Sequence, residues 1–99
     1  MKIRKAAVAG TLESCDAQVS IEPSDREIEL EIDSVVISQY GRRIREVIME
    51  TLKRLEVTHG KVCVVDKGAL DCTLRARVEA AVYRAAEQTE PVPWGGAVR

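Results

Sequence analysis

The stretch Asp25-Arg26-Glu27-Ile28-Glu29-Leu30-Glu31-Ile32-Asp33 alternates polar and aliphatic side chains almost throughout. Successive side chains of a strand point to opposite faces, so Ile28, Leu30 and Ile32 share one face while Asp25, Glu27, Glu29, Glu31 and Asp33 share the other. A helix would scatter the same residues around its whole circumference. The stretch therefore reads as a strand with one face in a core and an acidic face outward, as in a sheet covered on one side only. Adjacent carboxylates repel, and cations such as Lys2 or Arg4, or those of a partner, would relieve the row. Its first reading is a solvated face, and its second is a docking surface for a basic partner.

Upstream, Ala17, Val19 and Ile21 alternate with Gln18 and Ser20, and Pro23-Ser24-Asp25 follows with turn chemistry, which reads as a strand and hairpin. Residues Lys2 to Gly10 are expected to form a first strand, although their alanines lower its β-propensity. Downstream, Asp33 and Ser34 are suitable N-caps. The apolar residues Ile37, Tyr40, Ile44, Val47, Ile48, Thr51, Leu52 and Leu55 then recur at helical spacing to about Glu56, with Gly41 a weak point inside the helix.

His59 follows the helix, where the macrodipole favours it. Lys61 to Val65 is apolar on both faces, so it is expected to be central and parallel to the Arg26–Asp33 strand through a crossover. Asp66-Lys67-Gly68 is a turn in which Gly68 can take a positive φ. A second helix follows, with Asp71 in its first turn and a buried stripe of Leu70, Leu74, Val78, Ala81, Val82 and Ala85. The predicted fold class is α+β: a small mixed sheet with two helices packed on one face, in the order β-β-β-α-β-α. Residues 1–87 form a single domain, and 88–99, with its prolines, glycines and Trp94, form an extended tail.

Composition narrows the function. The chain has 99 residues, 45% hydrophobic and 31% charged, enough for one modest core. The net charge of −1 gives no electrostatic reason to expect nucleic-acid binding. No stretch approaches a membrane span, and the apolar residues near the N-terminus are too few for a signal peptide, so the expected location is the cytoplasm. Cys15, Cys63 and Cys72 lack metal-ligand spacing and are odd in number, which fits a reducing compartment. There is no Gly-rich phosphate loop and no Ser–His–Asp arrangement with a supporting motif.

Thr11-Leu12-Glu13-Ser14-Cys15-Asp16 interrupts the apolar residues before it and the alternating residues after it. Such a break is a surface loop, where a hydroxyl can be reached by another enzyme. Taken alone, Ser14 beside Asp16 is ordinary turn chemistry.

Ala9-Gly10-Thr11-Leu12-Glu13-Ser14, followed by Asp66-Lys67-Gly68-Ala69-Leu70-Asp71-Cys72 and Leu74-Arg75-Ala76-Arg77, resembles the acyl carrier proteins of citrate lyase, the gamma subunits of that complex. The resemblance covers nearly the whole chain in colinear order. It implies a non-catalytic carrier subunit with 2'-(5''-phosphoribosyl)-3'-dephospho-coenzyme A joined through a phosphodiester to Ser14. It implies three partners: an alpha subunit acting as acyl transferase, a beta subunit acting as citryl lyase, and a dedicated prosthetic-group transferase. Cys15 departs from the Gly or Ser expected there and leaves the acceptor hydroxyl intact.

The helical carriers of fatty acid synthesis attach their group at a helix start, whereas Ser14 falls between predicted strands, so loading by a general phosphopantetheinyl transferase is not expected. Three other readings compete: a malonate decarboxylase-type carrier, a thiol enzyme using Cys15, and an interaction module docking through the acidic face. The thiol enzyme lacks an evident base to activate its nucleophile.

Overall fold

The computed structural model describes residues 1–34 and 37–86, with the side chains of residues 37–40 outside that description. The expected Trp94 tail and the Ile37 and Tyr40 members of the first helix's stripe therefore lie outside the described residues. The elements are β1 (Ala7–Gly10), β2 (Ala17–Glu27), β3 (Glu29–Ser34), α1 (Ile37–Arg54), β4 (His59–Asp66) and α2 (Asp71–Ala85). This is the expected α+β order.

The four strands form one sheet in the order β1-β2-β4-β3. β1 pairs antiparallel with β2, β2 antiparallel with β4, and β3 parallel with β4. The parallel pairing and the central place of β4 are as the sequence predicts, because Val62 and Val64 give β4 the apolar content a central strand needs.

One expectation is corrected. β2 and β3 do not form a hairpin, since β4 lies between them. β2 continues through Pro23-Ser24-Asp25 to Glu27, and its register on β4 shifts between Glu22 and Glu27. An irregularity of this kind accommodates a proline, which has no N–H to give the ladder. The chain then passes through Ile28 around the start of β4, so that Glu27 pairs with His59 and Glu29 with Lys61.

The core lies on one face of the sheet. Val19, Ile21, Val62 and Val64 pack with Ile44, Val47, Ile48 and Leu52 of α1 and with Leu74, Val78, Ala81 and Val82 of α2. On the other face Glu29, Glu31 and Asp33 of the edge strand are exposed, as the alternation requires. Register sets Lys61 between Glu22 and Glu29, and the Arg26 guanidinium lies 3.7 Å from the Glu29 carboxylate, so the cation paired with the acidic row is Arg26 at the end of β2.

Two further boundaries differ from expectation. Lys2 to Ala6 is not strand; Ile3 is buried in the core, and the backbone N–H groups of Arg4 and Lys5 donate to the Ala85 carbonyl at 2.9 and 3.1 Å. Asp33 and Ser34 close β3, and the Ser34 hydroxyl donates to Asp66 Oδ2 at 2.8 Å; the expected capping contacts toward residues 35 and 36 lie outside the described residues. Leu70 is not in the buried stripe of α2. It stands at the N-cap with extended backbone, before the helical period begins, and is 70% exposed, while Tyr83 joins the stripe unforeseen.

Candidate functional site

Thr11 to Asp16 join β1 to β2, and the local structure begins at Gly10. Its φ is +96°, and a Cβ there would overlap the Ala17 carbonyl oxygen and meet Arg77 Cδ at 3.0 Å. Only glycine lets the end of β1 close on the start of β2 at this distance.

Beyond Gly10 the turn is held by side chains. The Thr11 hydroxyl accepts the Glu13 N–H at 3.2 Å and donates to Asp16 Oδ2 at 2.6 Å. Asp16 Oδ1 accepts the Ala17 N–H at 2.7 Å and Arg77 Nε at 2.9 Å, while Arg77 Nη2 reaches Oδ2 at 3.0 Å. A fork of this geometry on a carboxylate is among the stronger polar contacts a protein makes. The Arg77 hydrogen bonds first, and then that of Thr11, hold the Asp16 carboxyl well below the usual carboxylate range. The same contact raises Arg77 further above its already high value.

A second set of bonds zips this turn to the one after β4. The Cys15 N–H donates to the Lys67 carbonyl at 2.8 Å, and the Lys67 N–H donates to the Asp16 carbonyl at 2.9 Å. The Asp66-Lys67-Gly68 turn forms as expected, with Gly68 at φ +93°. Its base is the buried Asp66 carboxylate, which accepts the Ala69 N–H at 2.9 Å as well as the Ser34 hydroxyl. The structure thus brings together the two segments that the sequence singled out far apart.

Ser14 sits on this frame, exposed, with no hydrogen bond to its hydroxyl from any described residue. Its neighbours are fixed on both sides while its own Oγ is left available. Of the two nearest carboxylates, Asp16 is engaged by Arg77, Thr11 and the Ala17 N–H, and Glu13, immediately before Ser14, is exposed and makes no hydrogen bond to the Ser14 hydroxyl. Among the described residues no group is hydrogen-bonded to the Ser14 hydroxyl to take its proton.

The other candidate residues lie elsewhere or play other parts. His59, exposed and bonded through Nδ1 to the Thr58 hydroxyl at 2.9 Å, begins β4 at the end opposite Asp66. At the usual rise per strand residue that is about 23 Å away. Cys15 follows Ser14 with φ +64°, in the left-handed region, which accounts for the expectation of a small residue or glycine there. Among the described residues no three His, Cys, Asp or Glu converge as a metal site. No described helix is long and apolar enough to cross a membrane.

Gly10 and Arg77 are the site residues whose roles sequence reasoning missed. Arg77 had a signal: it falls between Leu74 and Val78 of the buried stripe, where a half-buried cation needs a carboxylate.

Comparison with known proteins bears on what this turn presents. The family model described as "Malonate decarboxylase delta subunit (MdcD)" matches residues 4–85. The chain is 55% identical over 96 residues to the citrate lyase acyl carrier protein of Escherichia fergusonii, covering 96% of this chain and 98% of that one. It is 53% identical over 94 residues to the protein of the same name from Enterobacter sp. (strain 638), covering 95% and 96%. For that of Vibrio cholerae serotype O1 the identity is 52% over 95 residues, covering 95% and 96%. A chain of the Pseudomonas malonate decarboxylase hetero-tetramer crystallised with malonate superposes with a TM-score of 0.70 at 22% identity, covering 84% of this chain and 86% of that one. This last likeness is one of fold.

Proposed function

The chain belongs to the family of citrate lyase acyl carrier proteins, and from that premise we propose that Ser14 is the residue through which it holds its prosthetic group, phosphoribosyl-dephospho-coenzyme A. The protein is an acyl carrier subunit of citrate lyase, a carrier rather than a catalytic unit. The observation that supports Ser14 is the exposed, unbonded hydroxyl on a turn whose flanking residues are pinned by Asp16, Arg77 and Lys67.

The residues present fit such a group. A phosphodiester needs one accessible hydroxyl and space around it, and Glu13, Ser14 and Cys15 are all exposed. Loading joins Ser14 Oγ to phosphorus of a donor activated as a phosphoanhydride; the anhydride's terminal phosphates leave, and the hydroxyl proton passes to a base of the transferase. When bound, the group supplies the thiol that holds the acetyl and citryl thioesters.

What this chain contributes is a stiff anchor. The bidentate Asp16–Arg77 pair ties the turn to α2, and the Cys15–Lys67 and Lys67–Asp16 bonds tie it to the end of β4. Tethering turns encounters with the acyl transferase and citryl lyase subunits into intramolecular events at high effective concentration. Those two subunits and a dedicated loading transferase are the partners this reading requires.

Intact mass of the carrier isolated with its native complex tests the proposal. An added mass equal to the phosphoribosyl-dephospho-coenzyme A group, mapped to the Ser14 peptide and lost in Ser14→Ala, is the expected result. An unmodified carrier in a complex that cleaves citrate would overturn it.

A further inference from the structure

A cleft of about 660 Å³ opens beside the turn that holds Ser14. Its wall includes Gly68, the residue after Lys67, and Lys67 is bonded in both directions to the Ser14 turn. The grooves lined by Glu56 and Thr58 lie at the opposite end of β4.

The side chains of the cleft divide sharply. Ile44, Ala69, Leu70 and Leu74 make an apolar floor and rim, on which Leu70 is 70% exposed. Of the charged groups, Asp66 is buried and accepts the Ser34 hydroxyl and the Ala69 N–H, one on each oxygen, and Asp71 is held by Arg43 at 2.9 Å. Arg43 is also shared with Glu46 at 3.6 Å. Arg75 is left over: half-buried, on the cleft wall, with no ion pair or hydrogen bond to any described residue.

An apolar trough with one uncommitted guanidinium matches a chain that is anionic at one part and weakly polar elsewhere. Such a chain is the diphosphate and acyl-pantetheine arm that the reading above attaches to Ser14. We propose that the loaded arm folds back into this cleft between visits to the catalytic subunits, its diphosphate charge received by Arg75 and its acyl end lying along Leu70, Ile44 and Leu74. The inference rests on the assignment of Ser14. Tethering makes the contact feasible, because a flexible linkage of this kind gives an effective concentration on the order of millimolar, so even a contact of millimolar affinity is substantially occupied. The consequence is a thioester kept out of water and a cleft that opens only when a partner competes for the arm.

The cysteines provide the test. Cys72 lies on the cleft wall and is exposed, whereas Cys63 is on the other face of the sheet. Carrier loaded with the acetylated arm, and carrier made without the loading enzymes, are treated with a neutral alkylating reagent, and each cysteine is followed by peptide mapping. Intact mass is read first on the same samples. Cys72 should react more slowly in the loaded protein, by about threefold for an arm docked most of the time, with Cys63 unchanged. Arg75→Gln and Leu70→Ser, both at exposed or half-exposed positions, should each return Cys72 toward the unloaded rate, and the Leu70 and Leu74 methyl resonances should shift on loading in the parent protein only.

A mass gain at Ser14 with Cys72 unprotected overturns the docked arm and leaves the attachment site standing. Protection that survives both substitutions overturns the assigned contacts. Absence of the mass gain from native complex overturns the Ser14 reading, and the docked arm with it.

Discussion

The two ends of β4 are built from different materials. At the His59 end, closure is by apolar burial and helix-terminus bonding: Ile3 and Val57 are buried, and the Met1 amino group donates to the Leu55 and Glu56 carbonyls at 2.9 and 2.7 Å. At the Asp66 end, closure is by carboxylates, with Asp66 buried under Ser34 and Ala69 and Asp16 gripped by Arg77. The contrast follows from what each end has to hold. A loop that must leave Ser14 exposed has no apolar side chain to anchor it, and Leu12 beside it is 55% exposed. Directional bonds from fixed neighbours are then the remaining way to hold a backbone in place.

The sharpest way to break the Asp66 end is therefore through its backbone. Gly10→Ala puts a Cβ onto the Ala17 carbonyl oxygen at a φ that L residues avoid, and it should cost about 3 kcal/mol, strain and overlap together. Gly68→Ala shares the positive φ but meets open space, so it should cost only about 1 kcal/mol. Urea denaturation midpoints of the two variants separate overlap from strain. Equal losses would mean that the close approach of β1 to β2 contributes nothing.

The Asp16–Arg77 contact gives a smaller effect with a pH signature. Because Arg77 is 36% exposed, solvent screens the pair, and Asp16→Asn should cost about 1 kcal/mol at neutral pH. The folded carboxyl is held below its unfolded value, so the stabilisation is complete above that value and is lost as pH falls. The loss starts as the unfolded chain takes up the proton near pH 3.9, roughly, and is finished once the folded carboxyl is protonated as well. Stability curves of parent and variant should therefore converge toward acid. At the far end, Thr58→Ala at an exposed position should stay within about 0.5 kcal/mol at every pH.

These differences also explain what could be read in advance. The alternation over Glu29–Asp33, the stripe from Leu74 to Ala85 and the central place of β4 are local patterns of burial, and the structure repeats them, while Arg26 and Glu27, expected in the same strand as Glu29, end β2 instead. The failures come where a distant element overrules a local preference. Pro23-Ser24-Asp25 is turn chemistry, yet β4 returns between β2 and β3 and keeps the segment extended across an irregular register. The Ser14 turn was legible as an exposed hydroxyl on a loop. Its brace was not, since Asp16 and Arg77 are 61 residues apart and meet only once α2 is laid on β1 and β2.

Each end of β4 also carries one non-glycine residue in the left-handed region, Cys15 at φ +64° and Glu56 at φ +59°, and these allow the finest comparison. Both are exposed, so truncation removes little packing. A left-handed L residue costs about 1–2 kcal/mol that glycine avoids, while glycine gives back about 0.5–1 kcal/mol through the freedom of its unfolded chain. Cys15→Gly and Glu56→Gly should therefore each stabilise the fold by somewhat under about 1 kcal/mol, read as a raised denaturation midpoint. The bonds involved are backbone ones in both cases: the Cys15 N–H to Lys67 and the Glu56 N–H to the Lys53 carbonyl at 3.0 Å survive the change. Equal gains would show that the two ends, different in how they are closed, pay the same backbone strain. A loss at Cys15 alone would mean that its side chain helps to hold the Ser14 turn, and the brace would then include the thiol as well as Asp16 and Arg77.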